Sequence, residues 1–188
     1  MEKPHTIFFL GKPGSGKGTQ AKRLATHTHW PIITAGDQFR KIATEDTPVG
    51  RKIKIMVESG LLAPNWFAMY LYQKALFSLP ENTNIIFDGF NRKPDEARLV
   101  ISSLKWLERS FIVVNLMVSD EMVYERIKGR SKMHQRSDDD SIKTRLGEYH
   151  KYTEQSLELF RDAGEIMDIN GEKDPDTIAS DIVHTLGF

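Results

Sequence analysis

A glycine-rich segment near the amino terminus has the residue types needed to bind phosphate. Gly11–Thr19 has the sequence GKPGSGKGT and follows a short apolar run that is predicted to be a strand. Its glycines let the backbone curl so that successive N–H groups face an anion, and the helix that follows adds the positive end of its dipole. Lys17 can then reach the β- and γ-phosphate oxygens of a nucleotide. The phosphate-loop spacing G-x-x-x-x-G-K-[ST] is met except at its last position, where Gly18 precedes Thr19.

Six arginines have spacings that suit the binding of two polyanions. The guanidinium fork binds phosphate oxygens in pairs and does not lose its charge. Two of the six follow predicted strand ends, two lie four residues apart on one helix face, and two flank an acidic turn: Arg40, Arg92, Arg126, Arg130, Arg136 and Arg145. The chain has no Asn-Lys-x-Asp string of the kind that a guanine-specific switch protein uses to bind its base. The arginines therefore favour a kinase with two phosphate sites.

The elements that must position these residues alternate along the chain. Short runs rich in Ile, Val and Phe alternate with segments of helical period, which is typical of a parallel α/β sheet. The predicted strands are Thr6–Leu10, Pro31–Thr34, Asn84–Asp88, Phe111–Val118 and Ile166–Ile169. These runs are apolar at consecutive positions, as expected for strands that are covered on both faces. We expect an α/β doubly wound fold with five parallel strands and helices on both faces.

Start and stop signals predict the intervening helices. They follow Gly16, run from about Val49 to Gly60, from Asn65 as a cap to Pro80, from Pro94 through Leu107, from Ser119 as a cap to Gly129, from Ile142 to Gly164, and from Pro175 to the end. Two segments do not fit the alternation. Asp37 to Pro80 has two predicted helices in one connection, and Gly129 to Ser141 is polar without an apolar face. Both are expected over the carboxyl end of the sheet, where ligands bind in such folds.

Composition excludes several classes of protein. Lys+Arg and Asp+Glu are each 26, so the chain has no basic excess of the kind that nucleic-acid or anionic-membrane binders show. Cysteine is absent, which excludes disulfides and a cysteine zinc site. No apolar stretch approaches the ~18 residues of a membrane span, and no signal peptide is visible. We expect one cytoplasmic domain.

Four motifs resemble those of the adenylate kinase family, in the family's order and across nearly the whole chain. Gly11–Gln20 is similar to its phosphate loop, Thr34–Arg40 to its monophosphate motif, Asp88–Arg92 (DGFNR) to its Asp-Gly-Phe-Pro-Arg motif, and Arg136–Asp139 to the Arg-x-Asp-Asp of its lid. The resemblance implies a monomeric P-loop NTPase fold of one domain. Its core would be residues 1–34, 81–128 and 142–188, with a monophosphate-binding helical insertion at about 35–80 and a short lid at about 129–141.

The resemblance also implies roles for individual residues. ATP would be bound by Gly14, Ser15, Gly16, Lys17, Gly18, Thr19, Arg126 and Lys173, and the monophosphate by Thr34, Ala35, Arg40, Gly89, Arg92 and Glu96. Lys17, Arg92, Arg130, Arg136 and Arg145 would stabilise the transferring phosphoryl group, while Asp88 would hold Mg²⁺ through water. The implied reaction is reversible, Mg-dependent transfer from ATP to a nucleoside monophosphate, with AMP as the default acceptor. A lid this short, without cysteine, carries no zinc.

Departures from the family pattern concentrate around the acceptor and leave its base open. Ala35 stands where adenylate kinases usually have Thr and is more like uridylate/cytidylate kinases. Glu96 stands where they have Gln; a carboxylate only accepts, which suits guanine or the cytosine amine, although it can take one bond from the adenine amine. Alternatively, Glu96 is a surface charge. Asn91 replaces Pro, and the span from Asp139 to Arg145 is two residues short. The alternatives are a kinase for UMP/CMP or GMP, a small-metabolite P-loop kinase, and a nucleotide sensor.

Overall fold

The protein is built around a five-stranded parallel sheet. The computed structural model describes residues 4–81, 83–129 and 141–188. The strands are β1 (Thr6–Gly11), β2 (Ile32–Thr34), β3 (Ile85–Asp88), β4 (Phe111–Met117) and β5 (Ile166–Asn170), in the spatial order β2-β3-β1-β4-β5. All neighbours are parallel, which confirms the predicted sheet. Every predicted strand lies within one residue of its observed bounds at each end.

Helices cover both faces of the sheet. They are α1 (Lys17–Thr28), α2 (Ala35–Ala43), α3 (Pro48–Ser59), α4 (Asn65–Phe77), α5 (Pro94–Trp106), α6 (Asp120–Lys128), α7 (Ile142–Glu148), α8 (Glu154–Asp162) and α9 (Pro175–Leu186). Apolar residues of α4, α5 and α8 pack on one face, and those of α1 and α9 on the other. Among the described residues, no helix combines the length and apolar character needed to span a bilayer. The predicted α/β architecture is therefore confirmed.

The connection between β2 and β3 differs from its prediction. Two helices were expected between Asp37 and Pro80, but the described part of the connection contains α2 as well as α3 and α4. Helix α2 begins at Ala35, directly after β2, and packs against α3. It is short and has Gly36 in its first turn, so its own propensity is weak and tertiary packing stabilises it. Helix α4 begins as expected, but Pro64 occupies its cap position and Asn65 is its first residue.

The long predicted helix from Ile142 to Gly164 is interrupted. Helices α7 and α8 are joined by a π-helical segment, Tyr149–Thr153. Such segments widen the helix by one residue per turn and often occur at functional sites. The first and last residues of this segment, Tyr149 and Thr153, line a cavity at the carboxyl edge of the sheet.

Sheet register aligns the ends of the central strands. Phe9 of β1 is paired with Asp88 of β3, which is paired in turn with Thr34 of β2. Because parallel strands all point the same way, the segments that follow these residues leave the sheet at one edge. The phosphate loop, the start of α2 and the Asp88–Arg92 turn are consequently neighbours.

Candidate functional site

A cavity of about 240 Å³ opens at the carboxyl edge of β1, β3 and β2. The phosphate loop and the first turn of α1 form one wall, and α2 with the loop after α3 forms the other. The floor is the Asp88–Arg92 turn, and α7 and the π segment close one side through Arg145, Tyr149 and Thr153. The cavity thus brings together residues from both predicted nucleotide sites.

The phosphate loop wraps around the amino terminus of α1. Gly14 and Gly16 have φ angles of 79° and 96°, a conformation that glycine adopts without steric cost. The Ser15 amide donates to the Lys12 carbonyl at 3.1 Å, and Lys17 Nζ donates to the same carbonyl at 3.1 Å. Of the predicted loop residues, Ser15 is buried beneath the surface, whereas the others line the cavity: Gly14, Gly16, Lys17, Gly18 and Thr19. This geometry forms a concave anion-binding site with a positive local potential.

Asp88 lies at the base of this loop with one unsatisfied oxygen. Its side chain is 6% exposed, and Oδ1 has no hydrogen-bond partner within the described residues. A Cβ atom at Gly18 would lie 3.1 Å from Asp88 Oδ2, so the missing side chain at Gly18 leaves room for the carboxylate. A buried, unpaired carboxylate oxygen is costly unless a cation or donor meets it. Asp88 therefore fits a hydrated Mg²⁺ beside the phosphate loop.

The predicted acceptor residues line the opposite part of the cavity. They are Thr34, Ala35, Arg40, Gly89, Arg92 and Glu96. Arg40 Nη2 pairs with Asp37 Oδ1 at 2.6 Å, and Arg92 Nε donates to the Gly89 carbonyl at 2.8 Å. Two guanidinium groups therefore line the same cavity as Lys17, where they can bind a second phosphate group.

Glu96 is buried, which rules out the alternative that it is a surface charge. Its exposed fraction is 3%, and its Oε2 accepts the Arg92 backbone N–H at 2.9 Å. Burial raises the pKa of the Glu96 carboxyl above its ordinary value, while the Arg92 and Lys93 backbone N–H groups and side-chain charges oppose that shift. Glu96 thus stands at the acceptor wall and is already hydrogen-bonded to the turn that carries Arg92.

The predicted ATP residues outside the loop have different surroundings. Arg126 Nη1 donates to the Ser15 carbonyl at 2.9 Å and Nη2 to the Gly171 carbonyl at 2.6 Å, so this side chain ties the phosphate loop to the turn after β5. Lys173 pairs with Asp181 at 2.7 Å and does not line the cavity. Arg145 does line it. The predicted residues Arg130 and Arg136 lie outside the described ranges.

Comparison with known proteins decides the family. A family model described as adenylate kinase matches residues 9–165. The chain belongs to the adenylate kinase family. It is 35% identical over 184 residues to adenylate kinase 1 of Nostoc sp., covering 96% of this chain and 98% of that protein. A Synechococcus sp. adenylate kinase is 34% identical over 176 residues, covering 92% and 91% of the two chains.

Membership in the adenylate kinase family confirms three predictions made from the sequence. The resemblance seen in the four motifs, the P-loop α/β fold and the assignment as a phosphotransferase are all borne out. Relatives also match along nearly their whole length, for example 29% identity with adenylate kinase 1 of Schistosoma mansoni over 99% of this chain and 94% of that one.

One departure from the adenylate kinase pattern changes the backbone. Asn91, which replaces the family's Pro, has a φ angle of 63°. Proline is locked near −65°, so it cannot adopt this conformation. The Asn91 side chain is fully buried, and neither of its amide atoms has a hydrogen-bond partner among the described residues. The turn that presents Arg92 is therefore built differently from one that contains Pro.

Sequence reasoning missed a chain of charged residues behind the adenylate kinase phosphate loop. Lys12 Nζ contacts Asp120 Oδ1 at 2.6 Å, Asp120 Oδ2 contacts His150 Nε2 at 3.0 Å, and His150 Nδ1 contacts Glu154 Oε1 at 2.7 Å. The hydrogen bonds that His150 makes to the Glu154 and Asp120 carboxylates raise the pKa of His150, and the hydrogen bond from Lys12 is the main cause that lowers the pKa of Asp120. His150 lies in the π segment, which no sequence pattern predicts.

Proposed function

We propose that the protein is an adenylate kinase that transfers the γ-phosphoryl group of Mg·ATP reversibly to AMP and yields two molecules of ADP. The observation that carries the proposal is that two sets of cationic groups line one cavity. Lys17 and the loop amides follow β1, whereas Arg40 and Arg92 follow β2 and β3. A kinase for an uncharged small metabolite has no need of a second phosphate site. The names of the relatives support AMP as the acceptor.

The proposed mechanism relies on positioning and charge neutralisation. The loop amides and Lys17 bind the β- and γ-phosphates, and Arg40 and Arg92 bind the α-phosphate of the acceptor. The acceptor oxygen already belongs to a phosphate, so no protein base has to remove a proton. Arg145, which lines the same cavity, would stabilise charge on the transferring group. Arg130 and Arg136, which lie outside the described residues, are proposed to act with it.

Asp88 is proposed to hold Mg²⁺ through water molecules. A Mg²⁺ ion held there would supply positive charge to neutralise the charge that develops on the phosphate oxygens. The unsatisfied Oδ1 of Asp88 beside Gly18 supports this assignment. Titration of turnover with Mg²⁺ would test it, because Asp88→Asn should raise the Mg²⁺ concentration needed for half-maximal rate while leaving the fold unchanged.

A second acceptor class is favoured by one observation. Ala35 and Glu96 both line the acceptor side of the cavity, and Glu96 brings a buried carboxylate to it. A carboxylate only accepts, so it suits the paired N–H donors of guanine or the amine of cytosine as well as the adenine amine. CMP, UMP or GMP is therefore the alternative acceptor.

A coupled assay for ADP formation separates these possibilities. Mg·ATP is offered with AMP, GMP, dGMP, CMP, UMP or dTMP, one at a time. We expect the highest kcat/KM with AMP, and loss of turnover by orders of magnitude in a folded Lys17→Ala variant. A strong preference for another monophosphate would replace AMP in the proposal. Absence of turnover with all six, beside measured ATP binding, would favour a small-metabolite kinase or a sensor.

The proposal includes the arrangement of the whole chain. Residues 35–80 are proposed to be the acceptor-binding insertion of a single domain. The short lid is proposed at about residues 129–141, of which 130–140 lie outside the described residues, and the two segments would exclude water when both nucleotides are bound. The enzyme is monomeric and cytoplasmic, and it has no zinc and no nucleic-acid or membrane partner. Sedimentation would test the monomer, and metal analysis of purified protein would test the zinc prediction.

A further inference from the structure

We propose that Glu96 is a positioning residue: its buried carboxylate fixes the backbone of Arg92 and so orients the Arg92 guanidinium towards the acceptor phosphate, whichever base the acceptor carries. The inference rests on the proposed function, because it takes Arg92 as a ligand of the acceptor phosphate. It also assigns Glu96 a task other than recognition of the base.

The position of Glu96 in its helix allows this contact. Helix α5 begins at Pro94, so Lys93 is its cap residue and Glu96 is the third residue of its first turn. A glutamate at this position can reach back to the N–H groups that precede the helix. Glu96 Oε2 accepts the Arg92 N–H at 2.9 Å. The carboxylate therefore fixes the backbone position of Arg92, which is the last residue of the Asp88–Arg92 turn.

The guanidinium is fixed at its other end by the start of the same turn. Arg92 Nε donates to the Gly89 carbonyl at 2.8 Å. Gly89 has a φ angle of 77°, and a Cβ atom there would lie 2.6 Å from Arg92 Nη2. The side chain thus lies against Gly89 while Glu96 holds the backbone. A shift at either end would move the guanidinium relative to the acceptor.

The residue between these two ends does not hold the turn by hydrogen bonds from its side chain. Asn91 is fully buried with a φ angle of 63°, and its amide nitrogen and oxygen have no partner among the described residues. A left-handed conformation in a residue other than glycine has a free-energy cost and persists only when its surroundings impose it. The bond from Glu96 to the next residue is one such constraint.

The burial of Glu96 is explained by these bonds. A carboxylate that is 3% exposed has lost most of its hydration, which is costly unless donors replace the lost water. The Arg92 backbone N–H and the charges of Arg92 and Lys93 replace part of that hydration. Since these partners are all protein groups, the arrangement exists before any base enters the cavity.

The test compares four variants by steady-state kinetics with two acceptors that the wild type uses. Glu96→Ala removes the acceptor oxygen, and the loss of a hydrogen bond to a charged group corresponds to roughly a ten- to hundredfold rise in the acceptor KM or fall in kcat/KM. We expect the same factor with both acceptors and a KM for ATP within about twofold of wild type. Glu96→Gln should restore most of the loss, because an amide oxygen also accepts an N–H.

Two further variants complete the design. Asp95→Ala is the matched control, because Asp95 lies in the same helical turn but has an exposed side chain paired with Arg98, and we expect wild-type kinetics. In an Arg92→Ala background, Glu96→Ala should cause no further loss, since a positioning residue acts only through Arg92. If Glu96→Ala does not fold, Glu96→Asp is measured instead, because its side chain is one methylene shorter and should not reach the Arg92 N–H.

The outcomes separate the alternatives. A loss confined to one acceptor would overturn the proposal and make Glu96 a base-recognition residue. Equal rises in the KM of ATP and acceptor, or additive losses with Arg92→Ala, would reduce Glu96 to a general structural residue. Failure of the proposed function has a different signature, namely a wild-type enzyme without turnover on any monophosphate.

Discussion

Replacing Gly89 by Ala tests whether the Asp88–Arg92 turn orients the acceptor arginine. Gly89 has a φ angle of 77°, where an L-residue with a side chain is strained by about 1–2 kcal/mol. The added Cβ would also lie 2.6 Å from Arg92 Nη2, whereas ordinary contact begins at 3.4 Å. The guanidinium must then move by about 0.8 Å, the difference between these two distances. A displacement near 1 Å at a reacting centre costs up to ~100-fold in rate.

A second glycine separates the strain from the displacement. Gly164 ends α8 with a φ angle of 74°, and a Cβ atom there would meet nothing within 4 Å. Gly164→Ala should therefore lose the same free energy of unfolding as Gly89→Ala, and each variant should melt about 2–8 °C below wild type. Only Gly89→Ala should change the kinetics, by a roughly ten- to hundredfold lower kcat/KM for the acceptor.

Thermal unfolding and the coupled ADP assay, run on both variants and on wild type, measure the two effects. The assay is run first with saturating Mg·ATP and a varied monophosphate, and then with a saturating monophosphate and varied Mg·ATP. Equal kinetics in the two variants would show that the placement of Arg92 does not depend on Gly89, and the reasoning would be wrong. The reasoning would also be refuted if Gly89→Ala matched Gly164→Ala in its acceptor kinetics but had a higher KM for ATP. The Asp88–Arg92 turn would then contribute to the ATP site and not to the acceptor site.

Three further predictions concern stability. Burial raises the native pKa of Glu96 above its ordinary value of 4.5, so the wild-type free energy of unfolding should fall as pH rises from about 4.5 through the raised native pKa. Urea unfolding should show that Glu96→Gln lacks this fall and therefore gains stability relative to wild type between acid and neutral pH. Glu154 and Asp120 raise the pKa of His150, so the stability they add is present below about pH 6.5 and is lost above the raised native pKa; His150→Gln should flatten that pH dependence. Asn91→Pro should cost about 3 kcal/mol, measured by urea unfolding, because φ = 63° is closed to proline; an unchanged midpoint would contradict this.

The sheet and the phosphate loop could be predicted because their signals are local. A strand buried on both faces needs consecutive apolar residues, and the loop needs glycines at fixed offsets before Lys17. The arginines at motif positions were found for a similar reason, since each follows a strand end or lies on a recognisable helix face. The cavity brings together three of the four described members of that set, Arg40, Arg92 and Arg145, whereas Arg126 bonds to the phosphate loop and to the turn after β5.

The remaining features depend on tertiary contacts. Helix α2 has only nine residues and is too short to be stable alone, so its packing on α3 decides its conformation. The π segment Tyr149–Thr153 is a change of hydrogen-bond register that has no residue signature. An acidic residue in the first turn of a helix is usually exposed to solvent, so the sequence alone does not indicate that Glu96 is buried. Its burial follows from the packing of the Asp88–Arg92 turn against it. Its role could not be decided from one sequence.

The register of β1, β3 and β2 has a consequence for how this site tolerates divergence. Phe9, Asp88 and Thr34 are successive partners, and neighbouring strands lie about 4.8 Å apart whatever side chains they carry. The spacing between the phosphate loop and the acceptor wall is therefore set by backbone hydrogen bonds, which any sequence able to form a parallel sheet provides. A relative that is only 35% identical can therefore have the same spacing between these two segments although most of its side chains differ. A slip of one residue in β3, by contrast, would shift Asp88 and Arg92 by about 3.3 Å and turn their side chains to the other face.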